Sequence, residues 1–408
     1  MKKIIIIDTS YNLKKINKLK LNQVIESRNL DNYFAKVFSV HPLSTIEEPN
    51  SYKRKFGKYN LIKISNDHLF IEGKIGFSKY LNFLSIFNFF ISQLHLFIFL
   101  SNLIKKENIG YIKGGSPNYS GFFSYLLSKY NSIPYVIRVG SNNDKIYEVT
   151  SRPVEKKFFK LRFIEKYFEN IVLKNASFVI AANKNNLNFA LQNSAKIRLS
   201  KVIRYSHLID PIHFIDPDKR EINEDLFNLY NINKNNYIIY VGRLEKVKHP
   251  IDTILVLKEL INENKDLKLV IFGDGSEKKN LIEFYKINNI QNNIIFAGNV
   301  SQEILANIIP FAALAISPHT GRALVEVGLS RIPVVAYDID WQSELINSGI
   351  TGELVPYRDI IKLITSSKKI LKNLKYSKSI ANNLRDRCIK LFDPKKAIKE
   401  EVDIYEKI

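Results

Sequence analysis

Residues 317–346 read SPHTGRALVEVGLSRIPVVAYDIDWQSELI. An apolar run at 312–316 stops where this stretch begins, a helical pattern follows Gly321, and 333–336 has the composition of a short buried strand. The order strand, loop, helix, strand is the repeating unit of a parallel α/β sheet. The stretch therefore predicts an α/β fold in which polar residues collect between a strand end and a helix start.

The start of that helix has features that suit an anion. A helix N-terminus offers unpaired N–H groups and a partial positive charge. Gly321 has no Cβ, so a ligand could approach its backbone closely. Glu326 lies one to two turns further on and could accept hydrogen bonds from sugar hydroxyls. A solvated glutamate beside a turn glycine would look the same, so this stretch alone leaves both interpretations open.

Length and composition predict a globular protein of more than one domain. The chain has 408 residues, of which 45% are hydrophobic, enough for two domains with separate cores. The net charge of +21 reflects either an AT-rich genome or attraction to an anionic surface. The basic residues are spread along the chain without a nucleic-acid-binding motif, which favours a membrane surface over nucleic acid as the anionic partner.

Cysteine usage and the N-terminus predict a cytoplasmic protein. Cys388 is the single cysteine, so no disulfide can form within the chain and a reducing compartment fits. Four apolar residues, 4–7, precede Asp8, which is a strand pattern and too short for a secretion signal.

Residues 1–210 predict a doubly wound parallel sheet. Strand-like runs at 4–7, 33–40, 109–113, 134–139, 176–182 and 201–206 are separated by helical patterns, including one at 155–173. Ligands bind at the carboxyl ends of such strands. The candidates to line a cleft there are Ser10, Arg138, Asn142 and Asp144, although structural loop roles are equally compatible with these residue types.

The most apolar region of the chain is 81–104. It contains Asn88, Ser92 and Gln93, which make it too polar for an ordinary transmembrane span. We expect a buried or half-buried helix, with contact at the headgroup boundary of a membrane as the alternative.

A second α/β domain follows a linker. Pro211 and Pro217 mark a polar segment, 211–235, as the linker. Strands and helices then alternate through 236–393, giving a second Rossmann-like domain. A last helix, at about 394–408, is predicted to pack back on the first domain.

The second domain carries four strand-end features that could hold a nucleotide. Arg243 and Lys248 follow the strand at 237–241 and could grip a pyrophosphate, Arg as a planar fork and Lys as a point charge. The Gly273-x-Gly275 turn offers close backbone approach, and the Gly321 and Glu326 features complete the set. Each feature is weak alone, and their order over about a hundred residues is what indicates a site in the cleft between two such domains.

This order resembles the C-terminal domain of the GT4-type glycosyltransferases, which have the GT-B fold of two Rossmann-like domains facing a central cleft. Matching elements are the Gly242-Arg-Leu strand end, the lysine five residues on, 296–300, the Glu-Leu-Ile at 344–346 and 351–355. The strand-end features and the resemblance together predict donor binding by Gly242, Gly273, Gly275, Val300, Gly321, Arg322, Ala323, Leu324 and Glu326. The predicted catalytic set is Arg243 and Lys248, which match the family, and His319, the polar residue nearest to the missing first glutamate.

The sequence departs from the family pattern at sugar-contacting positions. Pro318 stands where the first of two glutamates is expected, and Gly140 stands near the place of a histidine. Possible substitutes are His319, Arg138, Asn142 and Asp144. The pairs Asp216-x-Asp218 and Asp338-x-Asp340 imitate a metal motif, but we predict them to be loop acids and expect no metal requirement.

The implied function is transfer of a sugar from a nucleoside diphosphate sugar to a hydroxyl of a glycan or lipid-linked acceptor. The resemblance implies retention of anomeric configuration and a role in cell-surface polysaccharide, lipopolysaccharide or glycolipid biosynthesis. It places the acceptor on the first domain, at the strand ends that carry Ser10, Arg138, Asn142 and Asp144. The location would be cytoplasmic, at the inner face of the cell membrane. The alternatives are a GT-B nucleotide-sugar epimerase and a non-catalytic sugar-nucleotide-binding protein.

Overall fold

The computed structural model describes residues 2–18, 25–46, 55–156, 158–221 and 223–408. The chain divides into two compact units. The first comprises Met1–His207 together with Pro394–Ile408, and the second is Leu208–Asp393. Each unit is built on its own sheet, which confirms the predicted fold class of two parallel-sheet α/β units.

The first unit is organised around an eight-stranded sheet among its described residues, with the order β3-β4-β2-β1-β5-β6-β7-β8. The pairs are parallel except for β3, which runs antiparallel to β4. The all-isoleucine core of β1 is buried on both faces, as expected for a central parallel strand. The strands are β1 Lys3–Ile7, β2 Lys36–His41, β3 Asn60–Ser65, β4 His68–Glu72, β5 Tyr111–Gly114, β6 Tyr135–Val139, β7 Phe178–Ala181 and β8 Ser200–Val202.

Helices connect these strands. They are α1 Leu13–Lys18, α2 Ser85–Glu107, α3 Tyr119–Asn131, α4 Asn143–Thr150, α5 Arg162–Asn175 and α6 Lys184–Gln192. The helix expected at 155–173 begins later, at Arg162, because the carboxylate of Glu165 accepts hydrogen bonds from the N–H groups of Val154 and Glu155 and holds the preceding segment as a loop.

The second unit has a six-stranded parallel sheet in the part of the chain that is described, with the order β11-β10-β9-β12-β13-β14. Its strands are β9 Tyr237–Val241, β10 Lys268–Phe272, β11 Ile294–Gly298, β12 Leu314–Ile316, β13 Val334–Tyr337 and β14 Glu353–Val355. Its helices are α7 Glu224–Leu229, α8 Pro250–Leu260, α9 Lys278–Ile287, α10 Gln302–Ile308, α11 Arg322–Leu329, α12 Gln342–Leu345, α13 Ile360–Lys372 and α14 Leu374–Leu391.

The last helix, α15 Pro394–Tyr405, returns to the first unit. Ile404 and Tyr405 are buried there, and the Tyr405 ring meets the Phe34 ring edge-on at a centroid distance of 5.0 Å. Because the chain leaves this unit after His207 and re-enters it at Pro394, the second unit is an insertion into the first.

The segment expected to be a linker is instead part of the second unit. Phe227 and Ile232 are buried in the core that also contains Tyr237. Ile222 lies outside the described residues. The polar composition of 211–235 predicted a linker because only a few apolar residues, here Phe227 and Ile232, are needed to pack a segment against a core.

The apolar region forms α2, which is 23 residues long. Among the described residues it is the one helix long and apolar enough, by length and composition alone, to cross a membrane, and one third of its most apolar window is buried.

Candidate functional site

The second sheet has a topological switch point between β9 and β12. From β9 the chain moves outward through β10 to β11, and then crosses back to place β12 on the other side of β9. Ala315 of β12 is in register with Ile239 of β9, so the two strands end side by side. Loops that leave such a point diverge and open a crevice, the usual ligand position in an open α/β sheet. The loops here are 242–249 and 317–321.

The first loop brings two cations together. Arg243 is exposed, and Lys248 is half-buried. Burial, and next the charge of Arg243, lower the pKa of Lys248 to about 8, while Asp340 acts in the opposite direction. Two neighbouring positive side chains repel each other, and an anion bound between them would relieve that repulsion.

His319 fastens the second loop to the first. Its Nδ1 lies 2.8 Å from the carbonyl oxygen of Val247. Because a carbonyl only accepts, Nδ1 carries the proton. The other ring nitrogen, Nε2, lies 3.7 Å from the Asp340 carboxylate. The imidazole is therefore held in one orientation against the residue that precedes Lys248, with Nε2 on the side of Asp340.

The start of α11 is open. Gly321 is its N-cap residue, and no described side chain caps the first turn. A Cβ built on Gly321 would meet no described atom within 4 Å. The first N–H groups of α11 therefore lack a side-chain cap among the described residues, and an anion-binding role for this helix start stays a prediction.

Glu326 is placed one turn beyond this start and is only 2% exposed. Arg322 Nε lies 3.0 Å from Glu326 Oε1, and the same arginine donates through Nη1 to the Leu208 carbonyl at 2.8 Å. The Arg322 contact has the distance of an ion pair without the geometry of a hydrogen bond, and Oε1 has no hydrogen-bond partner among the described residues. A buried carboxylate oxygen without a hydrogen-bond partner is suited to accept a hydrogen bond from a ligand hydroxyl.

Packing requires glycine at both glycine positions of the Gly273-x-Gly275 turn. Gly273 has a φ of +135°, and a Cβ there would lie 1.9 Å from the Gly242 carbonyl oxygen. A Cβ on Gly275 would lie 2.4 Å from the Leu244 carbonyl oxygen. These glycines let the loop after β10 pack on the loop that carries Arg243, a role distinct from the ligand approach that we predicted.

The loops after β9, β10 and β11 are joined by backbone hydrogen bonds. Leu244 donates to Asp274 at 3.1 Å, and Gly273 donates to Gly298 at 2.8 Å. Val300 packs half-buried against the core next to this network. Ala323 and Leu324 follow in the first turn of α11, where Leu324 is fully buried.

Three of the four candidates in the first unit have structural partners. Arg138 is 5% exposed, lies 3.3 Å from Glu401 of α15, and stacks on Tyr205. This burial corrects its prediction as a ligand-contacting residue, because the guanidinium is enclosed by the unit's own side chains.

Asn142 and Asp144 are likewise engaged locally. Asn142 caps α4 by accepting the N–H of Lys145 at 3.1 Å. Asp144 accepts from Arg162 at 2.9 Å, and although burial alone would raise its pKa, hydrogen bonds from Asn193 and Arg162 lower it. Both residues hold α4 in place, so their strand-end position reflects capping and ion pairing.

Ser10 differs from these three because it is exposed. It lines a pocket of about 300 Å³ at the carboxyl end of β1, together with Lys15, His41 and Phe158.

The acidic pairs separate into two kinds. Asp216 and Asp218 both pair with Arg331, as expected for loop acids. Asp340, in contrast, faces Lys248 and His319 and belongs to the site. Its position just after β13 was the available signal, which the resemblance of Asp338-x-Asp340 to a metal motif obscured. The described residues contain no group of three or more His, Cys, Asp or Glu side chains that could hold a metal.

Two parallel-sheet α/β units, with two cationic side chains at the switch point of the second, have the architecture of the GT-B class of protein. HepE of Anabaena, whose structure was solved in complex with UDP, superposes with a TM-score of 0.70 at 15% identity, covering 100% of both chains.

Residues 222–387 match the family described as glycosyl transferases group 1. The alpha-D-kanosaminyltransferase of Streptomyces kanamyceticus is 22% identical over 65% of this chain and 68% of its own length. The N-acetylgalactosamine-N,N'-diacetylbacillosaminyl-diphospho-undecaprenol 4-alpha-N-acetylgalactosaminyltransferase of Campylobacter jejuni is 25% identical over 67% of this chain and 73% of its own length. Over residues 222–387 the chain therefore matches the group 1 glycosyltransferases, and these relatives are named glycosyltransferases. This confirms the resemblance to the GT4 type and favours a transferase over the epimerase and non-catalytic alternatives.

Proposed function

We propose that this glycosyltransferase holds the diphosphate of a nucleoside diphosphate sugar between Arg243, Lys248 and the start of α11. The observation that carries the proposal is the convergence of these three positive features at the β9–β12 switch point. Charge that develops on the leaving diphosphate as the glycosidic bond breaks would be met by groups already in place. The diphosphate charge needs no metal ion in this arrangement.

The nucleoside would be uridine, and Glu326 would hold its ribose. The UDP complex of HepE supports the choice of nucleotide. The Glu326 oxygen without a hydrogen-bond partner supports the second assignment, because a diol hydroxyl would supply the missing donor. His319, which follows the Pro318 that replaces the family's first glutamate, would contact the donor sugar, since its imidazole is already held against the carbonyl of Val247, the residue before Lys248.

The reaction would proceed with retention. The bond between the anomeric carbon and the diphosphate oxygen breaks, the acceptor oxygen bonds to the same face of the sugar, and the acceptor proton passes to the leaving diphosphate. The proposal needs no protein base for that proton, and its support is the match of residues 222–387 to the group 1 glycosyltransferases.

The acceptor would be a lipid-linked glycan precursor for a cell-surface polymer, used at the cytoplasmic face of the cell membrane. The name of the Campylobacter jejuni relative specifies an undecaprenol diphosphate acceptor, which supports this choice. The net charge of +21 suits an anionic membrane, and the single, buried Cys388 suits a reducing compartment. Ser10, which lines the pocket at the carboxyl end of β1, would contact the acceptor.

Titration calorimetry with UDP in the presence of EDTA tests the site. Because each cation makes charge-assisted contacts, we expect Arg243→Ala and Lys248→Ala each to weaken UDP binding about 10- to 100-fold. Lys246→Ala is the matched control, since this exposed lysine lies in the same turn, and its affinity should equal that of the wild type. Unchanged affinity in both site variants would refute the assignment, and a requirement for added metal would refute metal independence.

A further inference from the structure

Helix α2 turns four of its polar side chains into the protein. Asn88, Ser92, Gln93 and Ser101 are all buried, although they are the kind of residue that a surface helix normally presents to water. Polar groups are buried at a cost unless they are hydrogen-bonded, so their partners decide whether this orientation is stable.

Those partners are present and fix the rotation of the helix about its axis. Asn88 Oδ1 accepts the N–H of Phe77 at 2.7 Å. Ser92 Oγ donates to the Lys74 carbonyl at 2.8 Å, and Gln93 Nε2 donates to the same carbonyl at 2.9 Å. Turning α2 to expose these side chains would break all three bonds, so the orientation is built into the first unit.

The opposite side of the helix, with the short segment before it, presents large apolar side chains to the outside. More than half of the surface of each is exposed, and they recur every three to four residues, with one adjacent pair, which puts them on one stripe. We call this stripe the apolar face; it consists of Phe83 (81%), Ile86 (73%), Phe87 (57%), Phe90 (64%), Leu94 (58%) and Ile98 (52%).

The two ends of the apolar face are basic. Lys79 precedes it, Lys105 and Lys106 follow it, and all three are exposed. Glu107 is the single acidic residue of α2, and it is neutralised by Lys3 and Lys36 at 2.9 and 3.0 Å. An apolar stripe between lysines is complementary to a bilayer with anionic headgroups.

We propose that the apolar face docks on an anionic phospholipid bilayer, with α2 lying in the plane of the headgroup boundary. This inference rests on the proposed function, to which it adds the surface that meets the membrane. The helix lies on the bilayer and does not cross it, because its polar side is hydrogen-bonded to the rest of the unit. A second copy of the chain fits less well, because two chains of charge +21 repel each other.

The apolar face leads to the pocket that contains Ser10. The rings of Phe90 and Phe89 are 5.9 Å apart, and the rings of Phe89 and Phe158 are 5.7 Å apart. Phe158 lines the pocket at the end of β1. A continuous aromatic path therefore joins the bilayer-docking stripe to the proposed acceptor edge, so a lipid-linked acceptor would reach that edge without leaving the membrane surface.

Vesicle flotation tests the docking surface. The full chain is mixed with vesicles of phosphatidylcholine alone, or of phosphatidylcholine and phosphatidylglycerol at about 3:1, a ratio that supplies the anionic headgroups the lysines require. We expect binding to the mixed vesicles and at least about a tenfold lower partition coefficient for Phe87→Ser/Phe90→Ser, because two large apolar side chains are removed without a change of charge. Ile287→Ser/Ile361→Ser removes two comparably exposed side chains, 73% and 71%, from the second unit and should bind like the wild type.

Three outcomes would overturn the docking proposal. The first is equal vesicle binding by the Phe87→Ser/Phe90→Ser variant and the wild type, which would leave only charge attraction. The second is an equal loss in the control variant. The third is a wild-type dimer that the Phe variant dissociates, with no vesicle binding, which would make the face an interface between copies. UDP calorimetry on the same variants should be unchanged. A wild-type chain that floats but does not bind UDP would refute the proposed function and leave the docking surface standing.

Discussion

At the scale of single residues, the candidate site in the second unit holds two positive side chains, Arg243 and Lys248, close enough to repel each other. Lys248 is half-buried beside Arg243, so its ammonium lacks part of its hydration and meets a like charge. Asp340 offsets this only in part, since the pKa of Lys248 stays below its ordinary value. A bound diphosphate would stabilise the charged form, and the site therefore gains more from an anion than an exposed lysine would.

This arrangement predicts that UDP affinity falls as pH rises. With a pKa of about 8, Lys248 is mainly charged at pH 7 and mainly neutral at pH 9, and a neutral amine does not attract a diphosphate. If UDP binds only the charged form, the affinity should drop about tenfold between these pH values, and binding should be accompanied by proton uptake near pH 8. Calorimetry in buffers of different ionisation enthalpy measures both quantities.

Lys248→Arg is the control for that titration. A guanidinium stays charged throughout this range, so the variant should bind UDP with an affinity that is nearly independent of pH. A tenfold drop in the Arg variant as well would assign the titration to another group.

Among the elements of the fold, the loops after β9, β10 and β11 behave as one assembly. Backbone hydrogen bonds join them, and Gly273 allows the β10 loop to touch the Gly242 carbonyl. The loop that carries Arg243 is therefore positioned by the loop after β10. Packing at the carboxyl ends of these strands is thus linked to ligand binding.

Gly273→Ala is expected to damage both stability and binding. Its φ of +135° disfavours any side chain, and its Cβ would lie 1.9 Å from the Gly242 carbonyl oxygen. We expect the free energy of unfolding to fall by about 2–4 kcal/mol, with a loss of UDP affinity because the Arg243 loop must move. Chemical denaturation and calorimetry measure the two effects.

Gly298→Ala separates backbone strain from steric clash. Its φ is +69°, but no described atom lies within 4 Å of a Cβ placed there, so only a cost of about 1–2 kcal/mol is expected. Equal destabilisation by the two alanines would mean that the contact with Gly242 is unimportant.

In the molecule as a whole, α15 packs on the first unit and completes its core. Glu401 of α15 is 3% exposed and forms ion pairs with Lys113 of β5 and Arg138 of β6. Burial alone would raise the pKa of Glu401, but Lys113 and Arg138 lower it, so the carboxylate is charged. The stability of the first unit thus depends on residues that follow the entire second unit.

Glu401→Gln should therefore destabilise the protein strongly. The change leaves two buried cations without their counter-charge, which costs about 3–5 kcal/mol for a pair broken on one side. Denaturant unfolding followed by circular dichroism measures the loss.

Glu406→Gln is the matched change at the same end of the chain. Glu406 pairs with Lys2 at the surface, where its side chain is 55% exposed, and water already screens the pair. Little change in stability is expected for this variant. A comparable loss from both substitutions would show that burial of the Glu401 pairs does not matter.

Local pattern was enough to predict the fold class and the order of the candidate donor residues. The apolar runs at 237–241 and 312–316 became β9 and β12, and α11 begins directly after Gly321. Strand and helix periodicity, the turn preference of glycine and the rule that ligands lie at strand ends are properties of short segments. They can therefore be recognised before the chain is folded.

Contacts between distant segments could not be predicted in this way. Arg138 finds its partner 263 residues along the chain, which removed it from the candidate site, and His319 is held by the carbonyl of Val247, 72 residues away. Which side of α2 is buried likewise depended on hydrogen bonds to Lys74. Only the tertiary structure decides such pairings, because a buried polar or charged group takes whichever partner the packing of the whole unit brings within reach.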